Sequence, residues 1–210
     1  MRFFGERGIS VPMVEISAAV GNRNKSSVAY HFEDKGGLID AAYNEISGYL
    51  EPRFDDLLKA LEAKRDGELS LYEIVLALNA SFFALYASEP NGNDALKALA
   101  RLGHDSPAGD QSIYRRFHAA TFNRIATLIS KTAPLKPIGQ LRFHLTHYLP
   151  ATVNGLAAVE RWKEVDFLSE PELMFELLLS YTDYVSGGMG RSESERPSFD
   201  ADHWRKAIQP

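Results

Sequence analysis

The segment Gly21 to Ser27 is the part of this 210-residue chain whose residue types and spacing best suit binding of another molecule. It reads GNRNKSS and leads into three ring-bearing residues, Tyr30-His31-Phe32. Asn and Ser side chains can hydrogen-bond base edges, and Lys and Arg can bind guanine or phosphate. The unsatisfied amides at a helix N-terminus also attract phosphate. At the start of a short helix, these side chains favour contact with DNA.

The elements around this segment have the outline of a helix-turn-helix. A first helix is predicted from Ser10 to Val20, with Ser10 as its cap and Pro12 tolerated in its first turn. Gly21 ends it, and a second, very short helix runs to His31. Only the N-terminal part of the second helix enters the major groove in such motifs, which explains its small polar side chains. The alternative is an ordinary helical hairpin within a core. Apolar residues expected on one face of the first helix are Val11, Val14, Ile16, Ala19 and Val20.

These residues resemble the DNA-binding domain of TetR-family transcriptional regulators, over roughly residues 3–45. The spacing Arg23-Asn24-x-Ser26-x-x-x-Tyr30-His31-Phe32 is similar to one recurring branch of that family. The positions that carry the resemblance are Gly8, Val14-Glu15-Ile16, Gly21, Tyr30-His31-Phe32, Lys35 and Leu38. The resemblance implies that Phe32 and Leu38 are structural. It implies DNA contacts from Ser10, Arg23, Asn24, Lys25, Ser26 and Ser27, and phosphate contacts from Tyr30, His31 and Lys35.

The resemblance also implies a division of the chain and a set of partners. Residues 1–47 would form the DNA-binding domain (the head), 48–188 a ligand-binding and dimerisation domain (the body), and 189–210 a tail. The implied partners are a palindromic double-stranded operator, a second copy of the chain and a small apolar effector. The last two long helices would form the dimer interface. Its predicted residues are Leu156, Val159, Leu177, Leu178 and Tyr181.

Two features depart from the family pattern. Only seven residues precede Gly8, whereas the family's first helix begins well upstream, so either the start is called too late or the first helix is truncated. Residues 1–49 also carry five Lys or Arg against six Asp or Glu, and this net charge of −1 is poor for non-specific DNA binding. These departures keep a second hypothesis open, an all-α dimeric module that binds a small molecule or a protein and has a degraded head.

The rest of the sequence predicts an all-α protein, because apolar residues recur at helical spacing and strand signals are almost absent. A break or kink is expected near Gly48 and Pro52, and a kink at Pro150. Ser169-Glu170-Pro171-Glu172 is predicted to open the last long helix as a capping box, and Gly187-Gly188 to close it. The longer predicted helices cover about 38–61, 70–88, 111–131 and 138–162, with a short one at 94–102.

A ligand site is predicted where helices 70–88, 111–131 and 138–162 meet. Pro150 costs its helix roughly 3 kcal/mol and bends it, which opens space beside it. His147 or Tyr148 would mark the polar end of a mostly apolar cavity. Aromatic residues at helical spacing also form ordinary cores, so a solid core with Pro150 only as a kink is the alternative. The candidate ligand-binding residues are Phe82, Phe83, Tyr86, Phe117, His118, Phe122, His144, His147, Tyr148 and Asn154.

Other classes of protein find little support. The chain has no cysteine, which excludes thiolate zinc sites and cysteine nucleophiles. His144 and His147 share a helix face, but no carboxylate or thiol nearby completes a metal site, so neither metal nor cofactor is expected. The glycine-rich run at 187–190 follows a helix rather than a strand, and no catalytic constellation occurs, so an enzyme is not expected. Without a secretory signal or an apolar span, the expectation is a cytoplasmic protein with no membrane partner.

Overall fold

The computed structural model describes residues 1–19, 31–65, 67–88, 91–105, 113–132, 138–159 and 169–191, with the backbone alone described at 103–105, 113–119, 122, 138, 141 and 142. All regular structure in these residues is helical, which confirms the predicted all-α class. The helices are α1 (Arg2–Arg7), a 3-10 turn (Gly8–Ser10), α2 (Met13–Ala19), α3 (Lys35–Glu62), α4 (Leu71–Tyr86), α5 (Gly92–Asp105), α6 (Ile113–Thr132), α7 (Ile138–Val159) and α8 (Pro171–Gly190). Measured over this part of the chain, no helix has the length and apolar character needed to cross a bilayer.

One hydrophobic core joins the N-terminal helices to the rest of the described chain. Phe4 and Val11 belong to the same buried cluster as Ile46, Leu96 and Val153. Helix α4 is central, since it packs against α3, α5, α6, α7 and α8. Helix α1 lies on α5, and the approach is close at Gly5, where a Cβ atom would stand only 2.7 Å from the Cβ of Lys97. The head therefore shares its apolar core with the body.

Helix α3 joins the head to the body and is the linker helix. It continues through Pro52, so of the predicted break or kink, the break does not occur. It is a single helix of 28 residues, roughly 42 Å long at 1.5 Å per residue. Pro52 is exposed and supplies no amide to the preceding turn. Arg53 supports that turn, since its Nη1 donates to the Tyr49 carbonyl at 2.9 Å and its guanidinium lies 3.6 Å from the centre of the Tyr49 ring. The Tyr49 hydroxyl in turn donates a hydrogen bond to the Ala84 carbonyl at 2.8 Å, which fixes α3 on α4.

Two predictions about helix α8 are wrong. Its N-terminus has Glu170 as the cap with no side-chain hydrogen bond, so the capping box expected at 169–172 does not form. The helix also continues through Gly187 and Gly188 to Gly190. The last turn is stabilised by Met189, whose side chain is buried in the core. A capping box forms instead at α4, where Ser70 and Glu73 bond reciprocally.

The first helix of the head also differs from the prediction. Ser10 belongs to the 3-10 turn and donates its hydroxyl proton to the Arg7 carbonyl at 2.7 Å, so it does not cap α2. Helix α2 begins at Met13, directly after Pro12. Its buried face contains Ser17 and not Val14, which is 51% exposed. The predicted apolar face is therefore found at Val11, which is buried, and at Ile16, which packs against the core, but not at the exposed Val14 and Ala19.

Candidate functional site

A tight turn links the ring motif to the linker helix. Glu33 adopts a positive φ of 59°, which is uncommon for a residue other than glycine. Asp34 caps α3, because its Oδ1 accepts a hydrogen bond from the Gly37 amide at 2.9 Å. A Cβ atom on Gly37 would lie 2.2 Å from the Phe32 carbonyl oxygen, so only glycine fits there. These local contacts set the direction in which α3 leaves residues 31 and 32.

Three of the predicted DNA-contact residues fall within the described chain. Ser10 and His31 are exposed, and Lys35 is half-buried at the first position of α3. Lys35 has no ion pair with the described residues. Those assignments stay predictions. The other predicted DNA contacts lie outside the described residues: Arg23, Asn24, Lys25, Ser26, Ser27 and Tyr30.

Two arginines of the head are neutralised within the head itself. The Arg7 guanidinium pairs with the Glu15 carboxylate, and Arg2 lies 3.9 Å from Glu6. Both guanidinium groups also lie near the Phe3 ring, at 5.6 Å for Arg2 and 5.7 Å for Arg7. A positive field towards DNA would therefore depend on the cations around the predicted second helix.

A small void lies in the body where α3, α4, α6 and α7 meet. Its volume is about 10 Å³, which is the room needed by about one water molecule. Phe54 from the linker helix lines it, together with Leu78, Ile125, Leu145 and Tyr148. The Phe54 ring also packs edge-to-face against the fully buried Phe82 ring, with centroids 5.5 Å apart. At this junction, where the sequence predicts a ligand cavity, the described residues leave no ligand-sized space, which fits the alternative of a solid core; the linker helix forms part of the wall of the void.

A buried chain of hydrogen bonds joins α4, α7 and α8 beside this void. The Tyr148 hydroxyl donates to Asn79 Oδ1, and Asn79 Nδ2 donates to Thr182 Oγ1 at 3.0 Å. The Thr182 hydroxyl in turn donates a hydrogen bond to the Leu178 carbonyl at 2.8 Å. Burial raises the pKa of the Tyr148 hydroxyl well above its ordinary value, so the group stays protonated and keeps donating. The Tyr148 hydroxyl, which the sequence predicts to orient a ligand, therefore links α7 to α4 and, through Asn79, to α8.

A second hydroxyl pair joins α7 to α8. Thr152 donates to the Tyr148 carbonyl at 3.0 Å, so its oxygen accepts from the Tyr181 hydroxyl at 3.1 Å. Partial burial raises the pKa of Tyr181. Asn154 similarly donates to the Pro150 carbonyl at 2.7 Å. The residues around Pro150 therefore satisfy several backbone carbonyls with side-chain donors.

The other predicted ligand residues divide between the core and the surface. Phe83 and Tyr86 are buried on α4. His144 is half-buried, whereas His147 is exposed and bonds the Phe143 carbonyl through Nδ1 at 2.8 Å. Of the two residues proposed for the polar end of a cavity, only Tyr148 lines the void. The side chains of Phe117, His118 and Phe122 lie outside the described ones.

The predicted dimerisation residues lie mostly inside one chain. Leu156, Val159 and Leu178 are buried in its own core, and Leu177 and Tyr181 are half-buried. Other apolar side chains on the same two helices face outwards: Phe143 on α7 is 61% exposed, and Phe175 and Tyr184 on α8 are 51% and 77% exposed. If these helices do meet a partner, the exposed aromatic residues are better placed than the leucines to make the contact.

An ion-pair cluster that sequence reasoning missed fastens α3 to α6. Arg124 donates from Nε and Nη2 to both oxygens of Glu62, at 2.7 and 2.8 Å, and from Nη1 to Asp55 at 2.8 Å. The hydrogen bonds from Arg124 lower the pKa of Glu62. Lys59 first, and Arg124 second, lower the pKa of Asp55. The partners are 62 and 69 residues apart, so no sequence pattern could reveal them.

The described residues contain no group of three His, Cys, Asp or Glu that could hold a metal ion. In comparisons with known proteins, no family model and no curated protein matches this chain significantly.

Proposed function

We propose that this chain is a ligand-responsive transcriptional regulator of the TetR type. It acts as a repressor that binds a palindromic operator as a dimer and is released by a small, largely apolar effector. One observation carries the proposal. A single unbroken helix, α3, runs from the turn that follows the ring motif to Phe54 at the void in the body. Under this proposal, a displacement of α3 at Phe54 moves the turn at its N-terminus.

An effector at this junction would have to separate the helices that surround the void. At about 10 Å³ it admits no drug-sized molecule unless the surrounding helices separate. A ligand that enters between α4, α6 and α7 displaces the Phe54 side chain and hence α3. The ligand must favour the separated state by several kcal/mol to release DNA usefully, since the shift depends on its difference in affinity for the two states.

The dimer is proposed to form through the outer faces of α7 and α8. Exposed Phe143, Phe175 and Tyr184 supply aromatic side chains of the kind enriched in interfaces. A two-fold axis pairs the same patch on both chains and sets the spacing of the two heads. Palindromic operators require such symmetry.

Fluorescence anisotropy with the DNA that flanks the chain's own gene tests the proposed function. Binding should be much tighter to that duplex than to a scrambled duplex of equal length, and it should weaken steeply with added salt. Equal affinity for the two duplexes, or no binding at low salt, would contradict DNA recognition.

Light scattering on a Phe175→Glu/Tyr184→Glu variant tests the dimer. Charge on both exposed rings is expected to give monomers, because like charges would meet across the two-fold axis. Val14→Glu, at an exposed apolar site in the head, is the matched control and should remain dimeric. A monomeric wild type at micromolar concentration would refute the interface.

A second candidate function is an all-α dimeric module that binds a small molecule or a protein through the body. The neutralisation of Arg2 and Arg7 by Glu6 and Glu15 favours it, because it leaves the described head with little free positive charge. This candidate predicts an intact dimer that binds neither duplex in the anisotropy experiment.

A further inference from the structure

A cleft of about 520 Å³ opens at the end of α3 that is far from the head. It lies between the loop that joins α3 to α4 and the last turn of α6. Its volume is within the range of roughly 300–1,000 Å³ typical of small-molecule sites. It is separate from the void between α3, α4, α6 and α7, because the two share no lining residue.

The floor of the cleft is apolar. Leu61 and Leu128 present their edges to it and are otherwise buried in the core, and Leu69 is half-buried beside them. Gly67, at φ 90°, turns the loop, and any other residue would be strained there. Leu69 supplies most of the apolar surface that a ligand could reach, because Leu61 and Leu128 are only 8% and 2% exposed.

The rim of the cleft is cationic. Lys64, Arg65 and Lys131 line it. Lys64 is committed to the Glu73 carboxylate. The exposed side chains of Arg65 and Lys131 have no ion pair or hydrogen bond with any described residue. Two cations thus stand beside an apolar floor, and neither side chain makes an ion pair or a hydrogen bond within the part of the chain that the structure describes.

Of the described carboxylates beside the rim, Glu62 and Glu73 already have partners of their own. Glu62 lies close enough to Lys131 for the ammonium to contribute to its lowered pKa, but both of its oxygens are taken by Arg124. Glu73 is held by Lys64 and Ser70. Glu68 is exposed and reaches the Arg65 amide at 3.4 Å. The C-terminal ends of α3 and α6 also favour nearby cations, because each helix dipole has its negative end there. This explains why basic residues lie beside the cleft.

We propose that this cleft binds an amphipathic organic anion, with its carboxylate between Arg65 and Lys131 and its alkyl chain on Leu61, Leu69 and Leu128. The ligand would bridge α3, the following loop and α6. The site does not depend on DNA recognition, and its test uses direct binding to the full-length chain.

Octanoate is the probe, and isothermal titration calorimetry measures its affinity. One molecule per chain should bind, and affinity should fall when the salt concentration rises, because the contacts at the rim are exposed to solvent. Octanol supplies the tail without the charge and acetate the charge without the tail. Both should bind much more weakly than octanoate.

Substitution locates the bound anion. Arg65→Gln/Lys131→Gln should weaken octanoate binding by about tenfold or more, since both charge contacts are lost. Arg101→Gln, which removes an exposed cation from α5, is the matched control and should bind as wild type. Circular dichroism should give the same helical signal for all three proteins.

Several results would overturn the proposal. These are no octanoate binding, equal binding of octanol, or unchanged affinity in the Arg65→Gln/Lys131→Gln variant, which would put the probe elsewhere on the protein. Leucine methyl NMR adds an independent readout. Signals of Leu69 and Leu128 should shift on titration, whereas unchanged signals at both would contradict the proposed seat of the alkyl chain.

Discussion

The two ends of the linker helix are held in different ways. At its N-terminus, the contacts of Asp34 and Gly37 lie within five residues of one another along the chain. Towards its C-terminus, Phe54 meets Phe82, and Arg124 reaches back from α6 to Asp55 and Glu62. The first end is held by local contacts that fix its direction, and the second is held by tertiary contacts with α4 and α6. The linker helix is therefore tied locally at the head and by distant parts of the chain in the body.

The largest expected effect comes from removing the aromatic contact in the body. Phe54→Ala should lower the free energy of unfolding by about 3–5 kcal/mol, because it removes a buried ring and leaves a cavity. Urea denaturation measures it. Phe54→Leu keeps most of the volume and should cost much less. Similar losses for both variants would show that the Phe54–Phe82 packing does not hold this end of α3.

A change at the head should have the next largest effect. Gly37→Ala should cost about 3 kcal/mol or less, since its methyl group clashes with the Phe32 carbonyl. Hydrogen exchange should quicken first at residues 31–38 and leave α4 protected. Gly48→Ala, in the same helix with open space around it, is the control and should stabilise the chain by about 0.5–1 kcal/mol. Uniform loss of protection in Gly37→Ala would mean that the head end is not a separate local joint.

The buried hydroxyl of the body comes third. Tyr148→Phe keeps the ring but leaves Asn79 Oδ1 without its donor, at a cost of about 1–3 kcal/mol. Thermal unfolding measures the change. Tyr184→Phe, on an exposed tyrosine of α8, is the control and should have little effect. If Tyr148→Phe leaves stability unchanged, the hydrogen-bond chain does not fasten α7 to α4.

The ion-pair cluster should have the smallest effect and a pH dependence. Arg124→Gln should lower stability at pH 7, where Glu62 is ionised. Because Arg124 lowers the folded-state pKa of Glu62 below its ordinary value of 4.5, its stabilisation is present above that pH and is lost as the pH falls through the lowered value. The free energy of unfolding, measured by urea denaturation, should therefore differ less between wild type and variant at strongly acidic pH than at pH 7. If the difference in free energy of unfolding between wild type and Arg124→Gln is constant from pH 7 to pH 2, the Glu62 carboxylate is not the partner that makes Arg124 stabilising.

The same contrast explains what could be predicted from the sequence. The all-α class followed from helical periodicity, and the cap at Ser70 is readable as Ser70-x-x-Glu73, although it was missed. The equally plausible pattern at Ser169 forms no cap. Local patterns only permit a structure, and the packing of the whole chain then selects among them. Pro52 shows this, since contacts of Tyr49 and Arg53 keep α3 continuous through a residue that breaks isolated helices.

The site was predicted less completely for the same reason. The sequence predicts a ligand cavity at the junction of α4, α6 and α7, whereas the described residues there leave only a small void of about 10 Å³. It could not show that Tyr148 would be committed to Asn79, because these residues are 69 positions apart. It also could not separate the leucines of α7 and α8 that fill the chain's own core from the exposed rings of Phe143, Phe175 and Tyr184. Hydrophobic periodicity identifies the apolar face of a helix, but it does not show whether that face is buried in the chain's own core or against a partner.

The most direct test of the account is operator binding by a variant that alters only the proposed DNA contacts. Anisotropy titrations compare wild type, Lys25→Ala/Tyr30→Phe and, as a matched control on α5, Arg101→Ala, with circular dichroism to verify folding. If residues 21–38 read DNA, the double variant loses phosphate contacts and binds every duplex more weakly, whereas Arg101→Ala binds as wild type. Equal operator affinity for wild type and the folded double variant would contradict the account.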